Sequence, residues 1–300
     1  MLADSTARDQ AKTNTLIEAP LYRPHENVGP VRFSVIIMGK TFKGGVTDMN
    51  WSLKPLQRPE DAMMNRELCS RLAITFGAMG VSRVFAPSPV AFNAAFVRTS
   101  SLRTEIKLSS NVSMFRNGAI PADVVTLEPG EAGAFSAGGC PLIVASNGRR
   151  LTMAHAGRNC LLDRSLVAGG PATRVNASVV DTMMTTLRQM GSAEGIKVWV
   201  YGSIKPKDYP HKLHGEHAAF NSAMQDYIAR EWGVGGAESV QDSEGVINFD
   251  MPKLIRAQFE RHGVPRGCVN LHFAYLPDTG VWSDGKKDYP RNLVAIARYS

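Results

Sequence analysis

The stretch AGGCPLIVASNGRRLTMAHAGRN, Ala137 to Asn159, reads as an apolar run, a turn and a second apolar run. The turn, Ser146-Asn147-Gly148, carries the Asn-Gly pair that is a strong hairpin signal. Folding back there sets the start of the first strand beside the end of the second. Cys140 and His155, fifteen positions apart, then become neighbours. A thiol beside an imidazole is either an activated nucleophile or half of a metal site. The plainer reading is a core cysteine on one strand and an unrelated histidine on the next. Gly138 and Gly139, just before the cysteine, let a backbone approach a ligand and leave a thiol accessible.

Elements of both kinds surround this hairpin. VRFSVIIM, from Val31, alternates as a strand, and KGGVTD follows as a turn. RPEDAMMNRELCSRLAITFGAMG is the best helix: Pro59 near its start, Glu60 and Asp61 in the first turn, Gly80 at the stop. Met64, Leu68, Leu72, Phe76 and Met79 give it an apolar stripe, which is core packing. Further helices are expected over NASVVDTMMTTLRQMG, HGEHAAFNSAMQDYIAREWG and MPKLIRAQFERHG. Strands are expected at Arg83–Phe85, Ala91–Arg98, VVTLEPGEAGAF, IKVWVYGS, VNLHFAY and NLVAIARY. Helices and strands mix without a strict βαβ alternation. The expected class is therefore α+β, with mixed sheets forming a central sandwich flanked by helices.

The chain has 300 residues, 44% of them hydrophobic and 20% charged, with a formal charge of +7. That suits a globular protein with a sizeable core. The positive charge favours anionic ligands, but no Lys/Arg block marks a nucleic-acid stripe, so no nucleic-acid partner is expected. No apolar run reaches the length of a membrane span, and MLADSTARDQAKTNT lacks a signal core. A cytoplasmic location is expected, with Cys69, Cys140, Cys160 and Cys268 as free thiols. Residues 1 to 30, polar and unpatterned, read as a mobile N-terminal arm ahead of one domain, 31–300.

Other residues raise questions of their own. HKLHGEH groups His211, His214 and His217, a cluster that suits zinc or copper and suits equally a polar helix start. His214 and His217 share a helix face if the helix begins early enough. Arg66 sits on the long helix off its apolar stripe, as a surface cation or an anion contact. Lys286 and Lys287 lie in a polar loop, SDGKKDYPR, near the end.

In order along residues 31 to 300, several of these pieces resemble the laccase-domain family, also called the multicopper polyphenol oxidase or peptidoglycan-editing-factor family. KTFKGGVTDMNWSL is similar to its T-R-x-G-G-V-S and S-L-N-L segments, and RPEDAMMNRELCSRL to its N-R helix, with Arg66 on the family arginine. GGCPLIVASNGRRLTMAHAG resembles A-D-C-L-P-V-L through H-A-G-W-R-G, and WVYGSIKPKDY the W-L-G-P-A-I-G strand end. MPKLIRAQFERHGV and AYLPDTGVWSDGKKDYPRNLVAIAR resemble its last helix and its ending. The resemblance implies an enzyme of purine nucleosides, by phosphorolysis or hydrolytic deamination. Zinc would be held by Cys140 and His155, Arg66 would steady an anionic group such as phosphate, and Lys286 and Lys287 would frame the opening. The departures are specific. The family's first ligand, a histidine, falls near Val90 and Ala91, where none stands. Gly139 replaces the aspartate before the cysteine, and W-R after H-A-G reads Arg158-Asn159. Two protein ligands hold zinc poorly. The Gly-Cys strand start with a histidine on the neighbouring strand also resembles the glutamine deamidases of the cytotoxic-necrotizing-factor type, which share the fold and use a metal-free Cys–His pair. A binding relative without catalysis is a third reading.

Overall fold

The computed structural model describes residues 25–38, 51–89, 96–116, 122–172, 178–189, 191, 195–276 and 292–299. Along the chain run β1 (His25–Val28), β2 (Val31–Met38), α1 (Asp61–Met64), α2 (Arg66–Ala78), β3 (Arg83–Phe85), β4 (Phe96–Arg98), β5 (Thr104–Lys107) and β6 (Ser113–Arg116). Next come β7 (Val124–Leu127), β8 (Glu131–Ala137), β9 (Leu142–Ser146), β10 (Leu151–His155), α3 (Arg158–Leu161), α4 (Arg164–Val167) and α5 (Val179–Gln189). The remainder comprises β11 (Lys197–Tyr201), β12 (Pro210–Lys212), α6 (Ala218–Ala237), β13 (Val240–Ser243), β14 (Val246–Phe249), α7 (Met251–Arg261), β15 (Val269–Asn270) and β16 (Asn292–Tyr299).

Two mixed sheets form a sandwich. One has the order β1-β2-β16-β8-β3-β6-β5 and the other β15-β11-β9-β10-β7-β4; β12-β14-β13 make a small third sheet. Strand alternation builds the layers. From β2, Phe33, Val35 and Ile37 face inward, meeting Val144, Met153, Trp199 and Tyr201 of the opposite sheet. Phe33 and Trp199 meet edge to face at 5.1 Å. The alternate residues, Ile36 and Met38, face out and are covered by α2 through Leu68, Leu72 and Phe76. On the other flank Ile143, Ala145, Val198 and Val200 are covered by α5, α6 and α7. The expected α+β sandwich between helical layers is the observed architecture.

Three local expectations differ. The long helix splits at Asn65 (φ −117°, ψ 41°) into α1 and α2. At the break Asn65 donates to Asp61 O from both its side-chain amide and its backbone N–H, and Met64, first of the expected stripe, is left exposed. Second, the end of the expected N-terminal arm is ordered, because His25–Val28 pair antiparallel with β2; residues 1–24 lie outside the described ones. Third, His214 and His217 do not share a helix. His211 is on β12 and His217 caps α6, which starts at Ala218.

Candidate functional site

The hairpin forms as its sequence indicates. Gly148 takes φ +80°, and Asn147 Oδ1 accepts from the N–H groups of Arg149 and Arg150. Its strands pair in register from Leu151 opposite Ser146 to His155 opposite Leu142. His155 has the parity of Leu151 and Met153, whose side chains face the sandwich interior. Its ring lies 5.9 Å from Phe135 of the facing sheet. Just beyond Leu142, the loop with Cys140 is fixed by Ala156 N–H donating to Pro141 O and Ile204 N–H donating to Gly139 O.

His155 is the centre. Its Nδ1 lies 3.2 Å from Asp123 Oδ1, and its backbone N–H donates to Asp123 O. Asp123 precedes β7, the other neighbour of β10, and is fully buried. Burial presses the imidazole towards neutrality. The negative charge of Cys140 and hydrogen bonds with Asp123, Cys140 and Cys160 outweigh it and hold its pKa well above 6.5. Cys140 is partly exposed, whereas Cys160, on α3, is buried. Burial pushes the Cys160 thiol up to about 11, so it stays protonated at neutral pH. A Cβ on Gly157 would stand 3.2 Å from Cys140 Sγ and 3.4 Å from His155 Cε1, so glycine there leaves this pair uncrowded.

Asp123, His155 and Cys160 form a group able to hold a metal ion, with ligand atoms within 4.8 Å of one another and all three residues buried. Asp123 Oδ2 has no hydrogen-bond partner. This is not the set implied by the family resemblance. An ion between three buried side chains would lack the open position that a catalytic zinc keeps for water or substrate. Asp123 instead occupies the place of a carboxylate that orients a histidine. The position of the family's first ligand, at Val90 and Ala91, lies outside the described residues. With valine and alanine there, the three-ligand zinc set is not reproduced by side chains of this chain.

Of the residues singled out from sequence, Cys140 and His155 are brought together. Arg66 is exposed and lines a surface depression with Cys69, Lys107 and Ser109, a depression that includes neither Cys140 nor His155. Lys286 and Lys287 lie outside the described residues. The histidine cluster lines a cleft with Arg158, Arg164 and Phe220. Sequence reading missed Asp123 and Cys160. Asp123 was accessible in principle, as the residue entering the strand next to the histidine. Cys160 was not, because its approach depends on the turn into α3. Arg116 was missed too. It is buried, donates from Nη2 to Ser88 Oγ at 3.0 Å, and leaves Nε and Nη1 unpaired.

No family model matches this chain, and no curated protein matches it. Solved structures do. YlmD from Geobacillus stearothermophilus matches with a TM-score of 0.58 at 16% identity, covering 91% of this chain and 93% of that one. NMB0706 from Neisseria meningitidis, described as a DUF152 protein, gives 0.55 at 15% identity over 93% and 99%. The hypothetical protein YfiH from Bacillus licheniformis gives 0.58 at 13% identity over 92% and 99%. All three are laccase-domain proteins, and at these identities what they share with this chain is the architecture. The chain has the laccase-domain fold.

Proposed function

We propose that this protein is a thiol hydrolase of amides, with Cys140 as nucleophile, His155 as general acid and base, and Asp123 as the group that orients His155. The observation that carries this reading is the Asp123 carboxylate on His155 Nδ1, with a partly exposed cysteine hydrogen-bonded to the same ring. Nucleophile, base and orienting carboxylate in series are the recurring requirement of nucleophilic acyl transfer.

In this scheme the Cys140 thiolate attacks the carbon of a carboxamide, forming a C–S bond. The C–N bond breaks as His155 gives its proton to the leaving ammonia. Water then attacks the thioester with His155 accepting one of its protons, the C–S bond breaks to restore the thiolate, and the carboxylic acid gives its remaining proton to the released ammonia. Atoms and protons balance with water as the only co-reactant. Gly157 leaves room beside the sulfur, and the buried Asp123 keeps the imidazole from rotating. Arg66 takes no step in this reading.

A second reading, zinc-dependent turnover of purine nucleosides, is favoured by the shared fold and by the metal-capable Asp123–His155–Cys160 group. Metal analysis and alkylation separate the two. The thiol reading expects Cys140 to react with iodoacetamide at pH 6 at the same rate with and without a chelator, and carboxamide substrates to release ammonia. Stoichiometric zinc, with Cys140 masked until chelation and cleavage of inosine, would establish the nucleoside reading instead.

A further inference from the structure

A cleft of about 730 Å³, within the size range of small-molecule sites, opens at the start of α3 and along the His211–His217 segment. Its described lining carries three permanent cations, Arg158, Arg164 and Lys212, against one carboxylate, Glu216. Arg158 opens α3, the helix that follows Gly157. Gly157, whose Cβ would stand 3.2 Å from Cys140 Sγ, directly precedes Arg158, so the cleft's first cation begins one residue beyond the thiol's neighbour.

The two arginines are held in an unusual way. Their guanidinium carbons lie 5.9 Å and 5.1 Å from the ring centre of the same residue, Phe220. Two like charges on one ring repel each other. Among the described residues neither meets a carboxylate, although Arg58, Arg71, Arg83, Arg150 and Arg261 all do. The nearest acid in sequence, Asp163, is used to cap α4, accepting from Ser165 N–H and Leu166 N–H. A second observation comes from the wall itself: His211 is 5% exposed and its buried Nδ1 has no hydrogen-bond partner.

We infer that this cleft binds the phosphate group of a small-molecule ligand, with Arg158 and Arg164 as a guanidinium pair on the anion. Arginine forks match phosphate oxygens two by two, and a dianion offsets the mutual repulsion that the empty pair carries. The apolar ring of Phe220 and the volume of the cleft leave space for an organic remainder. Placing that remainder's carboxamide at the sulfur rests on the thiol reading above; the binding of phosphate does not.

The test uses the full chain as the Cys140→Ala variant, in which turnover is removed and the cleft retained. Titration calorimetry at low salt measures inorganic phosphate, phenyl phosphate, phenol and acetate. Phosphate and phenyl phosphate are expected to bind, phenol and acetate at least about tenfold more weakly, and affinity to fall as salt rises. Arg164→Ala, at an exposed position, is expected to lower phosphate affinity at least about tenfold with an unchanged melting temperature. Arg158→Ala should do the same, and Arg230→Ala, on a distant ion pair with Glu231, should do nothing. Absence of phosphate binding, equal binding of acetate, or indifference to Arg164→Ala would overturn the inference. Since alkylation of the wild-type Cys140 reports separately on the thiol reading, failure of one is distinguishable from failure of the other.

Discussion

Two histidine–carboxylate pairs stand among the described residues, and they differ in what the other side of the ring meets. His262 Nε2 lies 2.6 Å from Asp181 Oδ1, shorter than the 3.2 Å between His155 Nδ1 and Asp123 Oδ1. The shorter pair joins the start of α5 to the end of α7. Asp181 also accepts from Ser178 N–H and Oγ–H, and Arg188 donates to His262 O. Every neighbour is part of a helix terminus, and both side chains are partly exposed. The longer pair is buried, and its imidazole also meets two thiols, one of them reachable. The distance between a histidine and its carboxylate therefore says little about function. What the other side of the ring faces decides it.

The comparison breaks most sharply at Cys140. Cys140→Ala is expected to remove amide hydrolysis, a loss of about 10³-fold or more, while costing about 1 kcal/mol or less in stability. Loss of the fold with activity untouched would make Cys140 a packing residue. In the wild type, Cys140 is expected to alkylate at pH 6 much faster than the buried Cys69, because an adjacent imidazolium favours the thiolate. The sign for stability follows from the raised pKa of His155. What His155 contributes as a cation is fully present below about 6.5 and is lost as pH rises through its raised folded value. Cys160, pushed up to about 11, should remain unmodified at pH 6.

The next effect tests the pairs directly. Asp123→Asn is expected to lower kcat by about 10² to 10⁴-fold, because an amide no longer holds the imidazole in the required tautomer. Asp181→Asn should leave kcat unchanged. Equal effects of the two substitutions would erase the distinction between them.

Much of the first pair was legible in the sequence, and the reason is topological. An Asn-Gly turn fixes a hairpin register, and a register fixes which residues end up opposite. Cys140 and His155 needed nothing more. Asp123 needed to be known as the entry to the third strand, a pairing of β7 with β10 that spans some 30 residues and has no local signal. The long helix illustrates the opposite failure. Its apolar stripe was correct from Leu68 onward, but Asn65 turns its side-chain amide onto Asp61 O where the short first helix ends. A side chain that bonds the local backbone competes with the helix ladder, and periodicity carries no sign of it. The cationic cleft was half legible. The histidines were visible as a cluster, yet their partners Arg158 and Arg164 come from another segment, brought there by folding alone.

A smaller effect is expected from crowding the thiol without changing it. Gly157 has φ −63°, which alanine tolerates, so Gly157→Ala tests space and not backbone strain. Its methyl would meet Cys140 Sγ at 3.2 Å and His155 Cε1 at 3.4 Å. Displacing this pair by a few tenths of an ångström is expected to lower kcat about tenfold with the melting temperature nearly unchanged. Unaltered kcat would mean that the sulfur does not react from its observed position.

The smallest effect belongs to the structural pair, and it is read in stability. Asp181 is pulled below the ordinary carboxylate range. Burial opposes this, but the hydrogen bond and charge of His262, with the bonds from Ser178, prevail. A depressed folded pKa means that the carboxylate's contribution is fully present above its unfolded value of about 3.9. It is lost as pH falls through the lower folded value. Asp181→Asn removes both the helix-start acceptor and the contact to α7, which together are worth about 1 to 2 kcal/mol at neutral pH. Denaturant melts of the two proteins should therefore differ by that amount at pH 7 and converge only as pH falls through the lowered folded pKa of Asp181, where the wild-type carboxylate takes up its proton. A gap that stays constant to pH 2 would mean that Asp181 acts by shape alone, and the contrast between the two pairs would then rest on burial and not on charge.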